Sequence, residues 1–481
     1  VLEILQGFRR DASSLQVLAA LALELQWPSG VRARGPIPCE VMMSGGIVGA
    51  DVAWVLVASA LVMLMVPGLA LFYGGMVQGK NVLSTLMHSF GALAVVTVVW
   101  ALWGYSLAFG ESHGGLIGGA THLFMKGVGT EAHGTLPHLI FFLFQGTFAA
   151  ITPALISGAY AERLKFSAFL LFTVLWATFV YAPVAHWVWA PDGWLLKLGA
   201  LDFAGGAVVH LTSGVSALVV ALVVGRRQGA RQPPHNLTFT LLGAGLLWFG
   251  WFGFNAGSAL AANELAALAA TNTHLAAASG AVAWGLVDLI RLKKVTALGA
   301  ASGLVAGLVG ITPAAGFVSP MGALGIGLLA GSVCYGGVLL KERFHYDDAL
   351  DVVGVHGVGG ALGALLTGVL STVAVNPAGA DGLIASGNWS LVGKQALSVL
   401  AVGAFSALLT FVILKVVQAV VGLRVDAEAE YEGLDPHVHG ERAYHTGISL
   451  GSPAVAPREA PAAEASEPGK APIGAEPVME G

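Results

Sequence analysis

From residue 51 to residue 422 the sequence is a succession of apolar runs of membrane-spanning length, separated by short polar or Gly/Pro breaks. A bilayer core about 30 Å thick takes about 20 helical residues to cross, and it holds no water to satisfy a bare peptide group. Runs of this kind therefore fold as helices that bond their own backbones. The pattern places spans near 52–74, 84–109, 138–160, 166–189, 204–225, 238–258, 264–290, 296–312, 321–341, 353–373 and 395–422, eleven in all. With only 11% of residues charged and 56% hydrophobic, the chain has too little charge to cover a soluble surface of its length. The expected class is an all-α polytopic membrane protein. Its 66 glycines suit helices that meet in lipid, where close packing holds them together.

An odd number of spans puts the two ends on opposite sides. Lys80, Arg163 with Lys165, Arg226-Arg227 with Arg231, Arg291 with Lys293-Lys294, and Lys341 with Arg343 all fall in alternate loops, on the same side as the C-terminal tail. The positive-inside rule places that side in the cytoplasm and the N-terminus outside. Asn236-Leu-Thr238, which reads as a glycosylation acceptor, falls on the cytoplasmic side and is idle there. The first ten spans divide five and five. Because five is odd, the halves, about 50–226 and 237–375, are inverted repeats, and the last helix, 395–422, straps them.

Each half closes on an ionisable pair. Leu201-Asp-Phe-Ala-Gly-Gly-Ala-Val-Val-His210 opens the fifth span and Asp351-Val-Val-Gly-Val-His356 the tenth. At about 1.5 Å per residue, His210 lies roughly 12 Å beyond Asp202, near mid-membrane. An imidazole at that depth is costly and is expected to face a bundle interior or a pore. Two such residues from two halves point to one shared site, with the rings bonded to each other and their remaining nitrogens turned to a lumen. Asp202 is expected to cap its helix and favour a cation at the outer vestibule, without ligating it, and Asp351 to be its counterpart on the inner side. Phe148, Trp189, Phe254 and Ser258 fall near the outer mouth, where aromatic faces attract a cation by roughly 0.5–2 kcal/mol and a hydroxyl accepts a hydrogen. Trp187 and Trp194 compete with Trp189 for that place. His88 and His274 are expected to make interior hydrogen bonds, with His274 tuning the pore if it faces inward.

Residues 1–45 stand apart. Arg9-Arg10 followed by the apolar run 17–23 faintly resembles a signal peptide, and a start of synthesis at Met42 or Met43 is an equal reading. Residues 451–481 are rich in Ala, Pro and Glu, a composition that buries no core and is expected to be disordered. Cys39 and Cys334 are too few and too far apart for a disulfide framework or a thiolate metal site. No phosphate loop, nucleophile elbow or His-Glu-x-x-His pair occurs in the membrane region, so neither an ATP-driven pump nor an intramembrane protease is supported. No cofactor, metal, nucleic-acid partner or enzymatic activity is expected.

The chain resembles the ammonium transporters of the Amt/MEP/Rh family, and their Amt branch in particular. The resemblance rests on Phe72-Tyr-Gly-Gly75, Gly79-Lys-Asn81, Gly104-Tyr-Ser-Leu-Ala-Phe-Gly110, Phe144-Gln-Gly-Thr-Phe-Ala-Ala150, Gly158-Ala-Tyr-Ala-Glu-Arg163 and Ala185-His-Trp-Val-Trp189. It continues through the two histidine stretches, Trp251-Phe-Gly-Phe-Asn-Ala-Gly-Ser258, Ala262-Asn-Glu264, Glu432-Gly-Leu-Asp435 and Gly440-Glu-Arg-Ala-Tyr444. It implies a multi-pass protein of the cell (inner) membrane and a homotrimer. It also implies ammonium or methylammonium as substrate, taken up at Phe148, Trp189 and Ser258, with Phe148 and Phe254 as a gate and ammonia passing His210 and His356. The tail 425–450 would be regulatory, touching neighbouring subunits and a PII-type signalling protein. A Rh-like channel for ammonia or carbon dioxide and an ammonium sensor with little transport are the alternatives.

Overall fold

The computed structural model describes residues 46–228 and 233–444. The expectations for residues 1–45, Arg231 and residues 451–481, Cys39 and the two methionines among them, lie outside the described residues. The protein is an all-α membrane bundle: α1 Gly49–Met76, α2 Gly79–Phe109, α3 His138–Tyr160, α4 Phe166–Leu198, α5 Gly206–Val224, α6 Leu237–Ala259, α7 Glu264–Leu292, α8 Ala297–Ile311, α9 Pro320–Phe344, α10 Val353–Leu370 and α11 Ser390–Val420. Two small hairpins sit in the connection between α2 and α3. One pairs β1 (Ser112–His113) with β2 (Ile117–Gly118), the other β3 (Ala132–His133) with β4 (Leu136–Pro137).

Among the described residues ten of these helices are long and apolar enough to cross a membrane. The eighth expected span, 296–312, is α8, a helix of 15 residues, about 22 Å long at the helical rise and short of a bilayer core. It is followed by a buried, non-helical stretch, 312–318. Such backbone survives at membrane depth only when protein satisfies it. Asn272 of α7 does part of this, its amide donating to the carbonyls of Ala315 and Val318 at 2.8 Å each.

The helices start where short polar side chains accept their first free amides. Asn236 receives Phe239 N, Asn263 receives Ala266 N, Thr296 receives Gly299 N and Ser319 receives Gly322 N. Helices α1 to α5 form one half and α6 to α10 the inverted other, and each half reaches into its counterpart. Phe203 N, just before α5, donates to Pro313 O beyond α8 at 3.1 Å, and Leu350 N, just before α10, donates to Gly158 O of α3 at 3.0 Å. Where α5 crosses α10, Gly214 lies against Gly357, and a Cβ on Gly214 would collide with the Gly357 backbone. Helix α11 straps both halves. Gln395 exchanges hydrogen bonds with Leu201 N and O and donates to Ala364 O of α10.

The parity of the helices sorts the connections onto two faces. Lys80, Arg163, Arg226, Arg227, Lys341 and Arg424 share one face with the chain after α11. There Arg163 is fully buried and donates to the carbonyls of Ala159, Ala161, Gly225 and Asp347, tying together the ends of α3 and α5 and the approach to α10. Burial brings its guanidinium down to about 10. The hairpins and the mouth described next lie on the opposite face.

Candidate functional site

Helices α5 and α10 both open in π-helical turns, Gly206–Leu211 and Val353–Gly357, and each turn carries its histidine inward. Such turns are uncommon and cluster at functional sites, because they add a residue to the turn and re-aim its side chain. His210 is 1% exposed and His356 5%. Their Nδ1 atoms lie 3.1 Å apart, so one ring donates to the other. The Nε2 of His210 is buried with no hydrogen-bond partner. It faces a narrow apolar lumen walled by Leu69, Ile151, Leu155, Leu247 and Val305, whose cavity of about 10 Å³ has room for roughly one water-sized molecule.

Above the imidazoles an aromatic series climbs to the mouth. The ring of Phe254 stacks on His210 with centroids 5.8 Å apart, Phe148 lies 4.3 Å from Phe254, and Trp189 meets Phe148 edge-on at 5.9 Å. Phe148 and Phe254 are both buried and close the path between them. Ser258 stands one turn beyond Phe254 and donates its hydroxyl hydrogen to Phe254 O at 2.9 Å, which leaves the oxygen lone pairs free to accept. The structure thus gathers Trp189, Phe148, Phe254, Ser258, His210 and His356 along one line. Of the competing tryptophans, Trp187 packs on Phe405 and Trp194 and bonds to Leu116 O, away from Phe148. Trp189 is held by its Nε1 donating to Asp202 O at 3.0 Å.

Asp202 receives four backbone amides: Gly205 and Gly206 at one oxygen, Ala207 and Val208 at the other, all within 3.2 Å. Its carboxyl sits above the ordinary range because burial outweighs the four amides pulling it down. Its expected counterpart Asp351 does not occupy the matching place. Asp351 has φ +65° and pairs with Lys341, whereas the buried Asp348 accepts Val353 N at the start of α10 at 2.8 Å. The spacing carries the reason. Asp348 precedes His356 by the same eight residues that separate Asp202 from His210, and Asp351 is three residues too close.

Three further residues depart from expectation. His88 is buried, but neither ring nitrogen has a hydrogen-bond partner; it sits instead among the rings of Tyr160, Phe166 and Phe169. His274 faces away from the lumen, on the exposed side of α7, stacked on Trp248 at 5.1 Å. Trp251, overlooked as a site residue, stacks on His210 at 5.4 Å and donates to Thr312 Oγ1. Its position one turn before Phe254 on the same helix face was the available signal.

On the opposite face the described tail folds onto the bundle. Asp435 accepts Leu83 N and Ser84 N, Leu434 N donates to Asn81 Oδ1, and Arg424 pairs with the buried Glu430. Below His356 a second narrow space passes Phe72, Tyr73, Met76 and Ser302 to Asp351.

The Ammonium Transporter Family model matches residues 53–444. An ammonium transporter of Bacillus subtilis (strain 168) is 54% identical over 399 residues, covering 82% of this chain and 98% of the relative. Ammonium transporter Amt1 of Archaeoglobus fulgidus is 47% identical over 397 residues, covering 82% and 99%. The crystal structure of Saccharomyces cerevisiae Mep2 superposes with a TM-score of 0.75 at 40% identity, covering 79% of this chain and 88% of that one. A structure titled Sensor Amt Protein superposes with a TM-score of 0.74 at 31% identity, covering 80% and 97%.

Proposed function

The chain belongs to the ammonium transporter family, and from that premise we propose that it captures ammonium at the Trp189 mouth, removes a proton at the histidine pair and passes ammonia to the other face. The observation that carries this reading is the unbroken series Trp189, Phe148, Phe254, His210, His356 leading into an apolar lumen. Moving an ammonium-sized ion into a low-dielectric interior has an idealised cost of order 20 kcal/mol, and the neutral molecule avoids most of it. At the mouth the Trp189 and Phe148 faces attract the cation and Ser258 accepts one of its hydrogens. Phe148 and Phe254 must part for passage. Below them His210 Nε2 is the free nitrogen positioned to take the proton, and the two bonded rings hold it as a coupled unit.

The face carrying the basic loops and the tail is cytoplasmic by the positive-inside rule, which puts the mouth outside the cell membrane and the N-terminus with it. His274, about 15 Å along α7 on an exposed surface, supports a homotrimer, because an imidazole at that depth is costly against lipid and a neighbouring copy would cover it. The docked tail offers a PII-type protein a surface through which to act on the bundle. The likeness to the structure titled Sensor Amt Protein favours sensing as the second reading.

Replacing both His210 and His356 with leucine separates these readings. Two bonded polar rings exchanged for apolar groups are nearly neutral in stability. The variant should therefore fold, lose coupled proton movement in proteoliposomes given an ammonium gradient, and discriminate less against potassium. Wild-type current and selectivity in the double variant would reduce the pair to a structural role. A wild-type protein that binds ammonium with no flux would favour the sensor.

A further inference from the structure

The connection between α2 and α3, residues 110–137, holds three histidines, and α3 begins with a fourth. His138 is the centre of a cluster. His133 stacks on it with centroids 4.7 Å apart and 15° between planes, and His122 meets it edge-on at 5.1 Å. Its hydrogen bonds fix one of its two ring protons. His138 Nδ1 lies 3.2 Å from Gly127 O and so donates, and Nε2 bonds the Tyr105 hydroxyl at 2.5 Å, accepting from it when the ring is neutral and donating to it when the ring is charged. His122 Nδ1 likewise donates to Lys126 O at 3.0 Å.

We propose that this connection is a clasp over the mouth that opens when His122, His133 and His138 take up protons from the external medium. A charged His138 would reverse its bond with Tyr105, Nε2 then donating to the phenol oxygen. It would also stand at the N-terminus of α3, where the helix dipole disfavours positive charge. Its two neighbours would repel it. Tyr105 faces the cluster from α2, Glu131 is an acidic group acting on His138, and Lys126 contributes its carbonyl. Burial, and then the nearness of His122, already hold His133 below its ordinary value.

The clasp reaches both elements that build the mouth. Towards α3, which carries Phe148, His138 N donates to Glu131 O and Leu139 N to Gly129 O. Towards α4, which carries Trp189, Ser112 Oγ bonds His186 Nε2, Gly115 O accepts Trp194 N and Leu116 O accepts Trp187 Nε1. Between these anchors Phe124 and Met125 hold consecutive φ values of 54° and 60°, left-handed backbone that side chains rarely adopt and that only surrounding contacts maintain. The hydrogen bond from Met125 N to His122 O is one of them. Repulsion among charged imidazoles would act on this strained segment.

The effect on uptake rests on the transport reading above; the opening itself does not. Amide exchange over residues 110–139 of the full chain in proteoliposomes, corrected for intrinsic rates, is compared at about pH 7.5 and about pH 5.5, the range in which imidazoles titrate. Capture of dilute methylammonium is measured in parallel at constant cation concentration and fixed internal pH. Protection should fall about tenfold in acid while α5 and α10 stay protected, and capture should weaken with it. His133→Gln should move both responses to lower pH, and His133→Lys should loosen the connection already near neutral pH. Unchanged protection across this range in the wild-type protein, or identical profiles for the two variants, overturns the clasp. Exchange that responds to pH in a protein showing no uptake at any pH supports the clasp and fails the transport reading instead.

Discussion

Asp348 is 1% exposed, and while one carboxylate oxygen accepts Val353 N, the other is buried with no partner. Burial, reinforced by the charge of Asp351, pushes its pKa from 3.8 up to about 6. The folded protein therefore binds a proton between those values that the unfolded chain does not, so stability is greatest below the lower value and is lost as pH rises through the upper one. A shift of about two units corresponds to roughly 3 kcal/mol. Asp348→Asn keeps an acceptor for Val353 N and removes the buried charge. It should flatten the dependence of melting temperature on pH between about 4 and 6, and be at least as stable as the wild type above that window. A variant that keeps the wild-type slope would show that the proton is held elsewhere. Asp202, at the equivalent place in the first half, spends both oxygens on four amides, so the two caps are equivalent in position and unequal in satisfaction.

Helix α2 shows how an element can be completed by residues far along the chain. Its α-helical part starts at Val82 without a local side-chain cap, and Asp435 of the tail accepts two of its first amides at 2.8 and 3.0 Å. An N-cap of this kind contributes about 1 kcal/mol. Asp435→Ala should therefore expose the amides of Leu83 and Ser84 to exchange and make the tail more sensitive to protease, while Asp435→Asn should preserve most of both. If the alanine variant leaves tail cleavage unchanged, the docking depends on the Arg424–Glu430 pair and the Lys80 contacts with the backbone of Glu430 and Tyr431 instead. The α2–α3 connection on the other face is the reverse case: it is fastened by side chains within itself and by the ends of α3 and α4.

For the whole molecule, two halves that each lend backbone to the other across Phe203–Pro313 and Leu350–Gly158 form one body closed by α11. Reporter fusions at the Arg226-Arg227 loop and after Arg424 should both report the cytoplasm, and light scattering in detergent should give the mass of three copies. An external tail would undo the orientation and the placing of the mouth. A monomer would leave His274 facing lipid and remove the support it lends to the trimer.

The number and order of the helices were legible in the sequence, because in lipid a run of apolar residues has no alternative to the helix. The paired histidines were legible too, since an ionisable residue inside such a run is conspicuous by its cost. Tertiary structure alone decided which polar groups satisfy one another. His88 enclosed by rings without a bond and His274 on the outside both depend on helix rotation and packing, whereas Asp348 and Trp251 had sequence signals in the eight-residue spacing to His356 and the helix face shared with Phe254. Helix rotation in lipid follows from packing against other helices, and an apolar sequence on every side carries little record of it.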